Sequence, residues 1–336
     1  MSLTYYITGI AGFVGVNLIN ELDKEKDIKV IGFVLPSEKD FSFLKKDYIT
    51  LVEGNILNED DVEKFLSLRG EGEKIIIHLA GRITTLKRGD PLTSQINVEG
   101  TKNIVDVANK IGDFSKFIYI SSVDALPKHR NEEDIFEVDR YDESKVDGVY
   151  SKSKAIASNF VLDNFKNNSV IVLPSAIMGP NDVRCAPINN AIKRFLNDKL
   201  PAITKGGYNI VDVRDVAKGI LLASKLGKDK QSYLLTGEYV SVKYLIKQTA
   251  LVSNKKPVTT TVPHFAIKLA SPSICLHSKI HHITPLFTGF SMDCLKQNSR
   301  YNYKKAATEL GYKARPIEET ISDTVKWMKE SGYLDK

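Results

Sequence analysis

Short runs of β-branched and aromatic residues alternate along this chain with longer stretches whose apolar residues recur at helical spacing. Residues 3–7, 28–34, 49–52, 74–81, 117–120 and 170–174 read as strands. Residues 16–22, 60–68, 93–108 and 150–165 read as the helices between them. Strands that alternate with helices need crossover connections, which predicts an α/β fold with a doubly wound parallel sheet. Beyond residue 174 the alternation loosens. Residues 186–196, 215–226, 241–253, 304–309 and 317–329 read as helices and 208–213 as a strand, which predicts a smaller mixed lobe. The expected division is residues 1–180, with 208–235 returning to them, as the main domain. Residues 181–207 and 236–336 would form the smaller lobe. The charged segment 127–144 has few apolar residues and reads as a surface loop over the site. The apolar stretch 262–276 is broken by His264, Lys268 and Pro272 and reads as a buried helix. No internal repeat or low-complexity segment is visible.

The first strand runs directly into Thr8-Gly9-Ile10-Ala11-Gly12-Phe13-Val14-Gly15, and a helix follows. Strand, glycine turn and helix in that order make a Rossmann-type phosphate site. Gly9 permits the sharp turn, Gly12 lets a pyrophosphate approach the backbone, and Gly15 lets the helix pack close to the strand. The helix start then points free N–H groups and a positive dipole end at the phosphates.

Composition narrows the class without naming the chemistry. The chain has 336 residues, 42% hydrophobic and 26% charged, as expected of a soluble globular protein with a large core. The net charge of +6 is spread along the chain, with no basic block interleaved with aromatics, so no nucleic-acid partner is expected. A mild positive field favours anionic cofactors. No run is long enough to span a bilayer, and residues 3–7 are too short for an export signal. Cys185, Cys275 and Cys294 show no paired spacing, which fits a reducing, cytoplasmic setting.

Candidate chemistry lies where strands end. Tyr150 and Lys154 are four residues apart and share one helical face. An ammonium beside a phenol lowers the phenol's pKa, so Tyr150 is the expected acid/base and Lys154 its tuner and ribose ligand. Ser122, at the tip of the fifth strand, would hold a substrate oxygen beside the phenol. Leu79, Ala80 and Gly81 are small enough to let a flat cofactor lie on the sheet. The second strand ends Leu35-Pro36-Ser37-Glu38-Lys39. Ser37 and Lys39 could hold a 2′-phosphate, so NADP is expected ahead of NAD, although Glu38 argues the other way.

The combined motifs resemble the extended branch of the short-chain dehydrogenase/reductase superfamily, the NAD-dependent epimerase/dehydratase family. They are Thr8 to Gly15, His78-Leu79-Ala80-Gly81, Asn97-Val98-Glu99-Gly100-Thr101, the trio Ser122, Tyr150 and Lys154, the loop Pro174 to Pro180, and Val211 to Ala217. Within that branch the chain is most similar to dihydroflavonol-reductase-like and 3β-hydroxysteroid-dehydrogenase-like members. The resemblance implies an NAD(P)-binding oxidoreductase acting on a small molecule, with Ser122, Tyr150 and Lys154 catalytic. It implies dinucleotide contacts at Thr8, Gly9, Gly12, Phe13, Val14, Gly15, Ser37, Lys39, Asn55, Ile56, Leu79, Ala80, Gly81, Asn97, Ser121, Pro174 and Ile177. It also implies a homodimer paired through helices 93–108 and 150–165.

Three departures shape the reading. Val123-Asp124-Ala125 lacks the glutamate that dehydratases carry. Tyr208 stands where epimerases often place an arginine. Leu35 stands where NADP-preferring reductases often have one. Asn55 replaces the usual aspartate and could bond adenine through its amide oxygen. The alternatives are a nucleotide-sugar epimerase with tightly held NAD and a dinucleotide-binding regulator without catalysis. His277, His281 and His282 lack a completing ligand, so no metal is expected. Arg184, Lys193 and Arg194 could meet an anionic substrate, against the plainer reading of a solvated helix face.

Overall fold

The computed structural model describes residues 2–38, 41–128, 133–182, 184–269, 271 and 289–334. Seven parallel strands form the main sheet. In chain order its elements begin β1 (Leu3–Thr8), α1 (Phe13–Leu22), β2 (Ile28–Val34), β3 (Ile49–Glu53), α2 (Glu59–Leu66) and β4 (Glu73–His78). They continue with α3 (Pro91–Ser94), α4 (Gly100–Ile111), β5 (Lys116–Ile120), α5 (Val149–Asn164) and β6 (Asn168–Pro174). After β7 (Ala176–Met178), α6 (Pro187–Leu196), β8 (Gly207–Asp212) and α7 (Val213–Leu226), the strand β9 (Gln231–Leu235) completes the sheet. The order is β3-β2-β1-β4-β5-β6-β9. β2 and β4 both flank β1, so the direction of winding reverses there, and the crevice outside the carboxyl end of β1 faces α1.

Parallel strands covered on both faces need nearly continuous apolar runs. β6 supplies Val170, Ile171, Val172 and Leu173, all fully buried. One face of the sheet packs on α2, α4 and α5 through residues such as Phe65, Ile104 and Val161. The other packs on α1, α7 and the helix Lys304–Leu310 through Leu18, Ile220 and Leu310. A second sheet, ordered β10-β8-β7, joins β7 and β8 to β10 (Glu238–Ser241). Its core with α6, α8 (Val242–Ser253) and the helix Ile317–Glu330 centres on Ile192, Phe195, Ile246 and Ile321.

Four features differ from the pattern reading. β7, β9 and β10 are too short or too polar at their ends to signal strands in the sequence. The strand expected at 208–213 lies in the small sheet, while α7 and β9 belong with the large one. Helix 93–108 is longer and is interrupted by a π-helical turn, Gln95–Glu99, a feature often found at functional sites. Of the segment 127–144, the part 133–144 is not simply a loop over the site. Its Glu137 carboxylate accepts from Leu234 N at 2.8 Å, and the Tyr141 hydroxyl lies 2.6 Å from that of Ser232. It thus covers the open edge of β9, whose ladder groups would otherwise be unpaired. Among the described residues no helix is long and apolar enough to cross a membrane.

Candidate active site

The glycine turn is built as its spacing requires. Gly9 has φ +68°, and a Cβ there would sit 2.8 Å from Ala80 N. A Cβ on Gly15 would run into the Ile10 carbonyl, which fixes how closely α1 approaches the strand. Gly12 caps α1 without any side-chain bond, and the first turn of α1 holds no acid. Its N–H groups and positive end therefore remain available to an anion.

A cavity of about 1780 Å³ extends from this turn. Gly9, Gly12, Phe13, Val14 and Gly15 line one end, with Glu38, Asn55 and Ile56 beyond them. Leu79, Ala80 and Gly81 form the middle, followed by Ser122, Tyr150, Pro174 and Ile177 and the walls of the small lobe. Ser175 lies in the same wall with a buried hydroxyl that has no hydrogen-bond partner. The side-chain-free cradle, the uncapped helix and this orphaned donor together fit an extended dinucleotide.

Other expected contacts sit behind the wall rather than on it. Thr8 is fully buried, and its hydroxyl bonds His78 Nδ1 at 2.6 Å and accepts from Ala80 N at 3.2 Å. Asn97 lies in the π-turn with its amide filled: it accepts from Arg82 N at 2.7 Å and donates to Arg82 O and Ser153 Oγ. Ser158 gives its proton to Lys154 O, so Ser121, 2.7 Å away, donates to Ser158. Thr8, Asn97 and Ser121 are thus bonded within the protein and lie off the cavity wall. Asn55 reaches the cavity, but its amide oxygen already accepts from Leu57 N at 3.0 Å. Ser37 is exposed and off the cavity wall, which Glu38 occupies instead. Lys39 lies outside the described residues, as do His277, His281 and His282. Among the described residues no cluster of His, Cys, Asp and Glu could hold a metal ion.

Tyr150 and Lys154 project from α5 toward the tip of β5. The Ser122 hydroxyl hydrogen-bonds the phenol, and Ser122 Oγ also accepts from Asp124 N at 3.1 Å. Lys154 is buried, with Nζ 2.7 Å from Ile120 O and 4.8 Å from the centre of the Tyr119 ring. A Cβ on Gly81 would lie 3.3 Å from that nitrogen, so the small residue keeps space beside the ammonium.

The electrostatics correct one expectation. The Tyr150 phenol is held well above its ordinary value, first by burial and then by the charge of Asp124, with only the Ser122 bond opposing. The Lys154 Nζ donates to the Ile120 carbonyl. Burial brings Lys154 itself down to about 7. His78 falls to about 3, by burial and then by the charge of Lys154.

The sequence pattern did not single out one ion pair in the cavity. Lys128 Nζ pairs with Asp124 Oδ1 at 2.6 Å and hydrogen-bonds the Tyr301 phenol. Only helical i,i+4 spacing of Asp124 and Lys128 could have signalled this pair, and their segment is not a helix. Arg184 forms an ion pair with Glu38. Lys193 lies over the Tyr333 ring, 4.8 Å from its centre, while Arg194 lines the cavity.

A family description, 3-beta hydroxysteroid dehydrogenase/isomerase, matches residues 6–269. This chain belongs to that family. It is therefore an enzyme of the extended short-chain dehydrogenase/reductase superfamily, of the NAD(P)-dependent oxidoreductase and epimerase kinds. A Synechocystis sp. relative provisionally named dihydroflavonol 4-reductase is 30% identical, covering 99% of this chain and 97% of its own. Among solved structures, that of gox2253 has a TM-score of 0.82 at 28% identity and covers 99% of each chain. The Bacillus cereus UDP-glucuronic acid 4-epimerase, solved with UDP-glucuronic acid and NAD, shares the fold at TM-score 0.72 and 18% identity. That match covers 98% of this chain and 99% of the epimerase.

Proposed function

We propose that this family member interconverts a secondary alcohol and a carbonyl on a bulky, largely apolar small molecule. The carrying observation is that the bonded hydroxyls of Ser122 and Tyr150 line the same cavity as the glycine cradle. The α1 N–H groups and the Gly9–Gly15 turn would hold the pyrophosphate. Glu38 would face the adenosine ribose, Lys154 the other ribose, and Ser175 the carboxamide. Bound there, a nicotinamide dinucleotide supplies or accepts the hydride. Ser122 Oγ orients the substrate oxygen, and Tyr150 Oη passes its proton to that oxygen during reduction and recovers one during oxidation. A phenol held protonated by burial suits proton donation. The Glu38 carboxylate favours NAD over NADP, since a 2′-phosphate would meet a like charge.

Leu200, Ile203, Leu245, Met292 and Leu295 give the distal cavity an apolar wall, which supports a hydrophobic substrate over a nucleotide sugar. In this reading the small sheet and its helices form the substrate lobe, and α4 and α5 form a homodimer face that includes exposed Ile156. The test supplies NADH or NADPH with a panel of bulky alicyclic ketones and follows cofactor oxidation. Consumption that favours NADH is expected. No consumption, together with interconversion of UDP-sugars by protein that retains NAD through purification, would establish the epimerase instead.

A further inference from the structure

Lysines run through the whole chain, but acids do not. Residues 239–292 contain no Asp or Glu, yet they hold six lysines and four of the six histidines. Those six lysines equal the net charge of +6, so the rest of the chain is balanced. The same segment carries the three most exposed large apolar side chains among the described residues. They are Leu269 at 83%, Leu251 at 75% and Phe265 at 74%.

Phe265 and Leu269 are four apart within the helical residues 264–269, so they share one face. The opposite face is fixed to the protein. Ile267 is buried against Met292 and Leu295, and both of those line the cavity. His264 Nε2 donates to Lys205 O at 2.8 Å, and Lys268 pairs with Asp293 at 2.5 Å. The start of α8 joins the same cluster through Val242, and exposed Lys243 and Lys247 follow it. Lys255 pairs with Asp198. Among the described residues Lys243, Lys247 and Lys256 have no carboxylate partner.

Large apolar side chains held in water beside unpaired lysines, in a segment without acids, match the two attractions of an anionic lipid surface. The side chains can enter the acyl boundary, and the ammonium groups are drawn to the head-group charge. We infer that the Phe265–Leu269 face docks this chain on an anionic lipid bilayer, as a peripheral contact and not a span. Docked so, the apolar end of the cavity at Met292 and Leu295 lies one helix away from the lipid. The docking does not depend on the alcohol chemistry proposed above.

Flotation of the full chain with phosphatidylcholine vesicles, and with vesicles carrying about 30% phosphatidylglycerol, tests it. Binding to the anionic vesicles should be about tenfold tighter, and high salt should remove that difference. Phe265→Ser combined with Leu269→Ser should weaken binding to the anionic vesicles by about tenfold or more. The thermal midpoint should not move, because both side chains are exposed. Lys243→Gln combined with Lys247→Gln should reduce the anionic preference. No binding to anionic vesicles at low salt, or binding that survives loss of both apolar side chains, overturns the inference. If the protein ignores vesicles and the paired serine substitution instead dissolves a dimer, the face is a contact between copies and the inference fails.

Discussion

His78 shows how much a single side chain can organise without touching substrate. Thr101 gives its proton to Asn97 O at 2.7 Å, so it accepts from His78 Nε2–H at 3.0 Å. The bare Nδ1 then accepts from Thr8. The bonds run unbroken from the glycine turn to the π-turn that holds Arg82 and Ser153. The ring is neutral in the fold, with its pKa near 3 against 6.5 when exposed. Between those values the unfolded chain binds a proton that the folded chain refuses, so stability falls as pH drops from 6.5 toward 3. His78→Gln keeps a donor and an acceptor but cannot titrate. Its urea-derived stability should fall less steeply over that window than that of the wild-type protein. Parallel slopes would place the acid sensitivity elsewhere.

Elements were legible where burial imposes a strong pattern. β1, β2, β4, β5 and β6 are central in the sheet, α1 and α5 face it, and their apolar runs identify them. β9 begins with Gln231-Ser232 because it is an edge strand whose outer groups bond Glu137, Tyr141 and Lys305. That polarity hides it from any hydrophobic count. The glycine turn and the shared helical face of Tyr150 and Lys154 were readable because they depend on local spacing. The inward direction of Thr8, Asn97 and Ser121 depends on tertiary partners and was not. Asn97 bridges two elements, so Asn97→Ala would strand Arg82 N and O. It should cost about 1–3 kcal/mol of unfolding free energy, measured from the denaturant midpoint, and loosen the loop beside Lys154.

At the scale of the molecule, the cavity is shared between the large sheet and the small lobe, and Glu38 and Arg184 meet across it. The tip of β2 named the acidic residue, but not the arginine it would find some 150 residues later. If Glu38 faces the ribose, equal concentrations of NAD should raise the thermal midpoint more than NADP, because ligand binding stabilises by mass action. In Glu38→Gln that difference should narrow or reverse. A midpoint indifferent to the substitution would remove Glu38 from cofactor choice.

The central claim is that the Tyr150 phenol moves the proton. Tyr150→Phe removes one oxygen and leaves the ring, the helix and the glycine cradle in place. The decisive measurement sets its steady-state reduction of an alicyclic ketone beside its affinity for NADH. Turnover should be lowered by about 10²–10⁴, with NADH affinity within twofold of wild type. Turnover at the wild-type rate with the hydroxyl gone would contradict it.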